Sequence, residues 1–178
     1  MELKKEVNAL MELLVNTIVK ETETLVKNKI RLQAIGNLNS LPKNCLEKLQ
    51  HSINTTKDNN QMTLVLALSY SAKWEIIEAT KKIAKDVRDN NLSVEEIDVH
   101  LFSSSLCTHN IPDPELLIRT SGEYRISNFL LWQSAYTEIY MTDTYWPNFR
   151  EDQLIESIND FQNRERRFGK VSDQLKTP

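Results

Sequence analysis

Glycine is scarce: the 178 residues hold three. Flexible joints are therefore few, and no glycine-rich phosphate loop can be assembled from this chain. Cysteine is scarcer still, with Cys45 and Cys107 far apart and in no CxxC pair. That excludes a disulfide framework and a cysteine zinc site, and suits a reducing compartment. His51, His100 and His109 stand alone, with no serine or cysteine at a motif spacing, and receive no catalytic role. No apolar run approaches the roughly 18 residues of a membrane span. The opening MELKKEV lacks the apolar region of a signal peptide, so a cytoplasmic protein is expected. Positive charge is not in excess, with 22 Lys and Arg against 25 Asp and Glu and a net charge of −3. General attraction to nucleic acid is thereby disfavoured, and an anionic substrate must be caught by a local basic site.

What is present reads as one α/β domain spanning residues 1–178, with no linker, repeat or low-complexity stretch. Leu3, Val7, Leu10, Leu14, Ile18 and Leu25 share a helical stripe, widened by Met11 and Val15. They predict a first helix from about Leu3 to Asn28. A strand is expected over 30–35, then a helix opened by Pro42 and running to about Thr56. Thr63 to Tyr70 is dense in apolar residues, as a central parallel strand is. A helix follows from Lys73 to about Arg88. Ser93 with Glu96 three residues on forms a capping box for a short helix to about Leu101. The last helix should run from Asp152 to about Phe168 with Leu154, Ile155, Ile158 and Phe161 inward. Strand and helix alternate, which implies parallel βαβ units.

The stretch from Asp113 to Phe149 carries the chemistry. Glu115 to Ile118 reads as a buried strand that delivers Arg119 at its exit. Thr120-Ser121-Gly122-Glu123 breaks the run, Arg125 and Ser127 follow, and an apolar segment from Phe129 to Trp132 suggests a strand-to-helix corner. Ligands of open parallel sheets bind outside the carboxyl ends of strands, and guanidinium forks match phosphate oxygens. A diphosphate cradle is one reading of this corner. An ion pair to Glu115 or Glu123 is the other, and the two arginines alone leave both open. Glu138, on the alternating strand from Glu138 to Thr142, could equally face solvent. Trp74, Trp132 and Trp146 read as core or interface aromatics.

The whole string, LLIRTSGE, then RISNFLLWQ, AY, a glutamate and WP, resembles the carboxyl-terminal half of the cis-prenyltransferases, the undecaprenyl diphosphate synthase family. EVNALMELL, RLQAIGN, SYSAKWEII and NRERRFG extend the resemblance over nearly all the chain. It implies a parallel-sheet α/β fold of that family. It also implies condensation of isopentenyl diphosphate onto an allylic diphosphate such as farnesyl diphosphate, yielding a long cis-polyprenyl diphosphate. That product is membrane-associated and serves as a carrier lipid, in bacteria for the cell wall. By the same resemblance Arg119, Arg125, Ser127 and the backbone of Ile126 hold the isopentenyl diphosphate head group. Glu138 is then a ligand of Mg²⁺, and Leu10, Leu13 and Leu14 line a tunnel for the growing chain. A homodimer is implied too, with the Arg164 to Arg167 run near the partner.

The match departs from the family at its start. The Asp-Gly-Asn-Gly-Arg-Trp-Ala segment and the Thr-Glu-Asn-Trp segment, with the family's catalytic aspartate and asparagine, do not precede EVNALMELL here. The chain is therefore expected to be N-terminally truncated, to hold no catalytic residue of that kind, and to be inactive alone. A non-catalytic partner subunit is the alternative. SYSAKW also differs from the family's Asn-Tyr-Gly-Gly-Arg-Trp, and Lys73 in place of arginine weakens a bidentate role there.

Overall fold

Apolar residues at helical spacing make the longest element, α1 (Glu2–Lys27). The protein is described by a computed structural model over residues 2–165, with side chains from residue 9 onward. The expected contributions of Leu3 and Val7, and of Arg166 to Gly169, lie outside the described residues. Two units are formed, Met1–Asn110 and Ile111–Pro178. Among the described residues no helix is long and apolar enough to cross a membrane.

In the first unit α1 leads through a turn into β1 (Ile30–Ile35), then α2 (Lys43–Thr56), β2 (Met62–Ala67), α3 (Ala72–Arg88) and α4 (Val99–Ser105). β1 and β2 pair in parallel from Ile30 opposite Met62 to Ile35 opposite Ala67. The core is built from Ile18, Leu25, Leu32, Leu41, Leu49 and Leu68, with Met11 and Leu14 packed against it. Each such leucine or isoleucine contributes on the order of 1.5–3 kcal/mol by leaving water. The stripe on α1 is narrower than its apolar residues suggest. Leu14 is half-buried, whereas Leu10 and Leu13 are 61% and 65% exposed.

A polar seam crosses this core. Thr22 Oγ1 of α1 donates to Ser52 Oγ of α2 at 2.8 Å, and the Leu32 amide of β1 donates to Thr56 Oγ1 at 3.0 Å. Ser52 and Thr56 are fully buried, and each hydroxyl has a partner, so no desolvated group is left unpaired. β2 ends earlier than the apolar run does and is an edge rather than a central strand among the described residues. Met62 and Leu64 are accordingly 51% and 39% exposed. The capping box at Ser93 and Glu96 closes a single 3₁₀ turn (Val94–Glu96) instead of starting α4. Asp98 caps α4, accepting from the Leu101 amide at 2.7 Å.

The carboxyl ends of β1 and β2 meet in a tight corner. Gly36 has φ +110°, and a Cβ there would lie 2.1 Å from the Leu68 carbonyl oxygen, so only glycine fits. Ser71 starts α3 by accepting from the Trp74 amide at 3.3 Å. Behind it sits Glu75, 2% exposed. Its carboxyl accepts from Tyr70 Oη at 2.6 Å, Cys107 Sγ at 3.0 Å and Thr108 Oγ1 at 3.4 Å. This hub ties the start of α3 to the chain after α4.

In the second unit β3 (Leu116–Arg119) and β4 (Glu138–Met141) pair in parallel, Leu116 opposite Glu138 and Arg119 opposite Met141. The expected helix after the corner does not form. Residues 120–137 cross between the parallel strands in turns, with Ser121, Ser127, Asn128 and Leu130 at positive φ, where an α-helix cannot continue. After a 3₁₀ turn at Trp146–Asn148, α5 (Glu151–Gln162) closes the described chain. Leu154, Ile155 and Ile158 do not point inward; they are 43%, 48% and 40% exposed. The covered stripe is Gln153, Ser157, Asp160 and Phe161, because the fully buried Ser157 lets that face sit close.

The hub has a consequence for thiol chemistry. Burial first, then the hydrogen bond and charge of Glu75, push the Cys107 thiol up from 9.0 to about 12. Since the raised value belongs to the folded state, the stabilisation it brings is complete below about pH 9 and lost as pH rises toward 12. In a Cys45→Ala background, a chromogenic disulfide reagent at pH 8 should label native Cys107 about a thousand-fold more slowly than the urea-unfolded chain. Equal rates in the two states would show that the thiol is not held.

Candidate functional site

The two-stranded sheet of the second unit decides where the candidate residues stand. A parallel strand advances about 3.3 Å per residue, and residues paired in register point to the same face. Arg119 is the last residue of β3, at the carboxyl edge, and shares its face with Leu117, Ile139 and Met141. Glu138 is the first residue of β4, at the amino edge, on the face of Leu116, Ile118 and Tyr140. Three residues along the strands separate them by about 10 Å, on opposite faces. One corner holding both guanidiniums and Glu138 is therefore not how the register arranges them.

The carboxyl edge is built by main-chain pairing beyond the strands. The Ser121 amide donates to the Thr144 carbonyl at 3.0 Å, and the Gly122 amide to the Thr142 carbonyl at 2.9 Å. Ser121 and Gly122 both have positive φ, 71° and 64°. A Cβ on Gly122 would lie 2.9 Å from Asp143 Oδ1, so this glycine brings the turn against that carboxylate. Arg119 is half-buried, and its Nε is buried with no hydrogen-bond partner among the described residues. An orphaned buried donor costs about 1–3 kcal/mol unless something accepts from it.

Arg125 lies farther along the turn, 65% exposed at its side chain. Its Nη1 is paired with Glu123 Oε2. The ion-pair reading is thus realised for Arg125 with Glu123, and Arg119 has no ion pair among the described residues. Ile126 is half-buried and Ser127 exposed, the latter at φ 54° with Asn128 next at 61°.

Glu138 has an engaged partner at the other edge. Arg164 Nη1 donates to Glu138 Oε2 and to the Ile139 carbonyl, both at 3.0 Å, while Nη2 pairs with Asp160. Burial pulls the Arg164 guanidinium down, but its hydrogen bonds to Glu138 and Asp160 outweigh that and leave it raised. On the same face burial first, then the Glu156 carboxylate, raise the Tyr140 phenol. One carboxylate with one oxygen already engaged is not a metal centre by itself. Among the described residues no group of three His, Cys, Asp or Glu side chains could hold an ion.

Of the other candidates, Leu10 and Leu13 form an exposed apolar pair on α1 and Leu14 packs on the core of the first unit. Trp146 is 70% exposed and stacks on Phe149 with ring centroids 6.1 Å apart. Trp74 is half-buried and Trp132 exposed. Two neighbours have contacts that no motif signalled. Asp143 reaches the turn only through the β4 pairing, and Arg164, in the run expected near a partner, is a fork into β4.

That fork generates an expectation. Arg164→Ala should cost about 1–3 kcal/mol in urea unfolding, because it strands two carboxylates and a carbonyl that charged donors now satisfy. Arg164→Lys should recover only part, since an ammonium cannot reproduce the fork. Wild-type stability for the alanine variant would refute the role.

Comparison with known proteins places this geometry in context. Residues 2–169 match the family model described as putative undecaprenyl diphosphate synthase. An isoprenyl transferase of Chlorobaculum tepidum is 51% identical over 174 residues, 98% of this chain and 66% of that protein. A ditrans,polycis-undecaprenyl-diphosphate synthase of Coxiella burnetii, (2E,6E)-farnesyl-diphosphate specific, is 41% identical over 97% of this chain and 73% of its own length. Among solved structures, lavandulyl diphosphate synthase from Lavandula x intermedia, in complex with dimethylallyl diphosphate, superposes with a TM-score of 0.90. It is 35% identical and covers 94% of this chain and 72% of its own. The chain spans about two thirds of the length of the curated relatives it matches. With helices alternating with parallel strands, and with this match running through nearly every element, the chain belongs to the undecaprenyl diphosphate synthase family of prenyltransferases.

Proposed function

We propose that the carboxyl edge of β3 and β4 binds the diphosphate of isopentenyl diphosphate, as part of an isoprenyl transferase that adds this unit to an allylic diphosphate. The observation that carries the reading is the orphaned Nε of half-buried Arg119 at that edge, beside a turn whose backbone is held at positive φ. A diphosphate bears about three negative charges and needs fixed donors. Arg119 supplies a buried N–H, Arg125 an exposed fork, and Ser127 a hydroxyl; the Ile126 amide is a further donor. The relatives' names support the reaction class: they are isoprenyl transferases and farnesyl-diphosphate-specific undecaprenyl diphosphate synthases.

In such a condensation C4 of isopentenyl diphosphate bonds to C1 of the allylic partner, whose diphosphate leaves, and a proton is lost from C2. The part that these residues play is to bind and orient the homoallylic head group, so that chemistry begins from a held geometry. Successive additions in cis give a long polyprenyl diphosphate, a carrier lipid.

The remaining features belong to the same proposal. Mg²⁺ is favoured by diphosphate chemistry, with Glu138 as one protein carboxylate; the rest of the shell would come from phosphate oxygens and water. Register sets Glu138 and Arg119 at opposite edges of the strand pair. A homodimer is supported by the outward apolar residues of α5, Leu154, Ile155 and Ile158, which exposed singly would need no explanation but here form one face. The single α/β domain, the cytoplasmic location and the tunnel along Leu10, Leu13 and Leu14 are retained as parts of this reading.

Calorimetric titration with isopentenyl diphosphate tests it. Arg119→Ala should weaken binding by about ten-fold or more, the worth of a charged hydrogen bond, and leave farnesyl diphosphate binding by the same chain little changed. Equal losses for both substrates would contradict the assignment. Binding without turnover, when Mg²⁺ and farnesyl diphosphate are supplied, would favour a non-catalytic partner subunit.

A further inference from the structure

The cradle is nearly neutral before any substrate arrives. Two guanidiniums, Arg119 and Arg125, stand at the carboxyl edge, and two carboxylates stand with them. Asp143 is pressed against the Gly122 turn, where a Cβ would come within 2.9 Å of Oδ1. Glu123 is paired with Arg125. The two carboxylates differ in how they are held. Asp143 follows β4, and its neighbours Thr142 and Thr144 accept backbone hydrogen bonds from the turn, so its main chain is locked. The side chain of Glu123 is 35% exposed, and among the described residues Arg125 is its one ion-pair partner.

We propose that Glu123 is the resting counter-ion of Arg125, displaced when a diphosphate binds, and that it sets how strongly charged a ligand must be to enter. The inference rests on the diphosphate reading of this corner. The guanidinium is held by a group with one negative charge, two residues away in the same turn. A phosphate presents more charge and the same planar pair of oxygens to the fork, so it wins the exchange, whereas a neutral or singly charged head group does not. Holding Arg125 in this way also limits its capture by carboxylates from elsewhere. The cost of the exchange is small because both partners are substantially exposed, and exposed pairs of this kind are weak.

The experiment is a double-mutant cycle read by calorimetry, with isopentenyl diphosphate added to the full chain at low ionic strength. Glu123→Gln should tighten binding about two- to five-fold, the range an exposed ion pair allows. Glu123→Asp, which keeps the charge but draws it back, should fall between glutamine and wild type. In an Arg125→Ala background the gain from Glu123→Gln should vanish, since nothing remains to be released. Unchanged or weaker binding by Glu123→Gln would overturn the inference, and weaker binding would mean that Glu123 orients Arg125 for the ligand. A gain that survives undiminished without Arg125 would also overturn it, because the carboxylate would then act through its field alone. If Arg125→Ala weakens binding while Glu123→Gln does not strengthen it, only the counter-ion role fails. If neither Arg119→Ala nor Arg125→Ala alters affinity, or if no variant binds the diphosphate, the cradle itself fails and takes this inference with it.

Discussion

Everything at the candidate site follows from one constraint, the parallel register of β3 on β4. Because Leu116 stands opposite Glu138 and Arg119 opposite Met141, cation and carboxylate leave the sheet at opposite edges and faces. The same pairing, continued past the strands by the Ser121 and Gly122 amides, presses the turn against Asp143. A slip of one residue would reverse every side chain and take Arg119 off the carboxyl edge. The cradle is therefore a property of backbone hydrogen bonding first and of side-chain chemistry second.

The two units solve burial of polar groups by the same means. In the first, Glu75 is buried but has three donors, and the Thr22, Ser52 and Thr56 hydroxyls form a paired seam through an otherwise apolar core. In the second, Arg164 joins two carboxylates and a carbonyl at the start of β4. Among the described residues four buried side-chain atoms lack a hydrogen-bond partner, and the Nε of Arg119 is the one carried by a cation, at the edge where ligands of parallel sheets bind. Proteins leave such groups unsatisfied rarely, and a site awaiting an anion is one physical reason to do so.

Much of this was legible in the residues. Periodicity located α1, α2, α3 and both strand pairs, since helical and extended repeats of apolar residues differ in period. The arginines were found because a cation at a strand exit followed by a glycine turn is an uncommon pattern, and the wider string made the family resemblance specific. Other features were hidden for identifiable reasons. The apolar segment from Phe129 to Trp132 suggests the start of a helix, but positive φ at Ser127, Asn128 and Leu130 is incompatible with one. On α5 the apolar residues misled, because Ser157 and Gln153, not Leu154 and Ile155, face the sheet. Glu75 gave no signal, as its three donors come from Tyr70, Cys107 and Thr108, two of them more than thirty positions away.

Sequence by itself determined the order and type of most elements, the family, and which residue types could grip a diphosphate, because these depend on local period and on chemistry carried by single side chains. Only the tertiary structure decided which charges meet. That Arg125 rather than Arg119 rests on Glu123 is settled by turn geometry, and that Asp143 meets the Gly122 turn and Glu138 turns away to Arg164 follows from strand register, which brings together groups far apart along the chain.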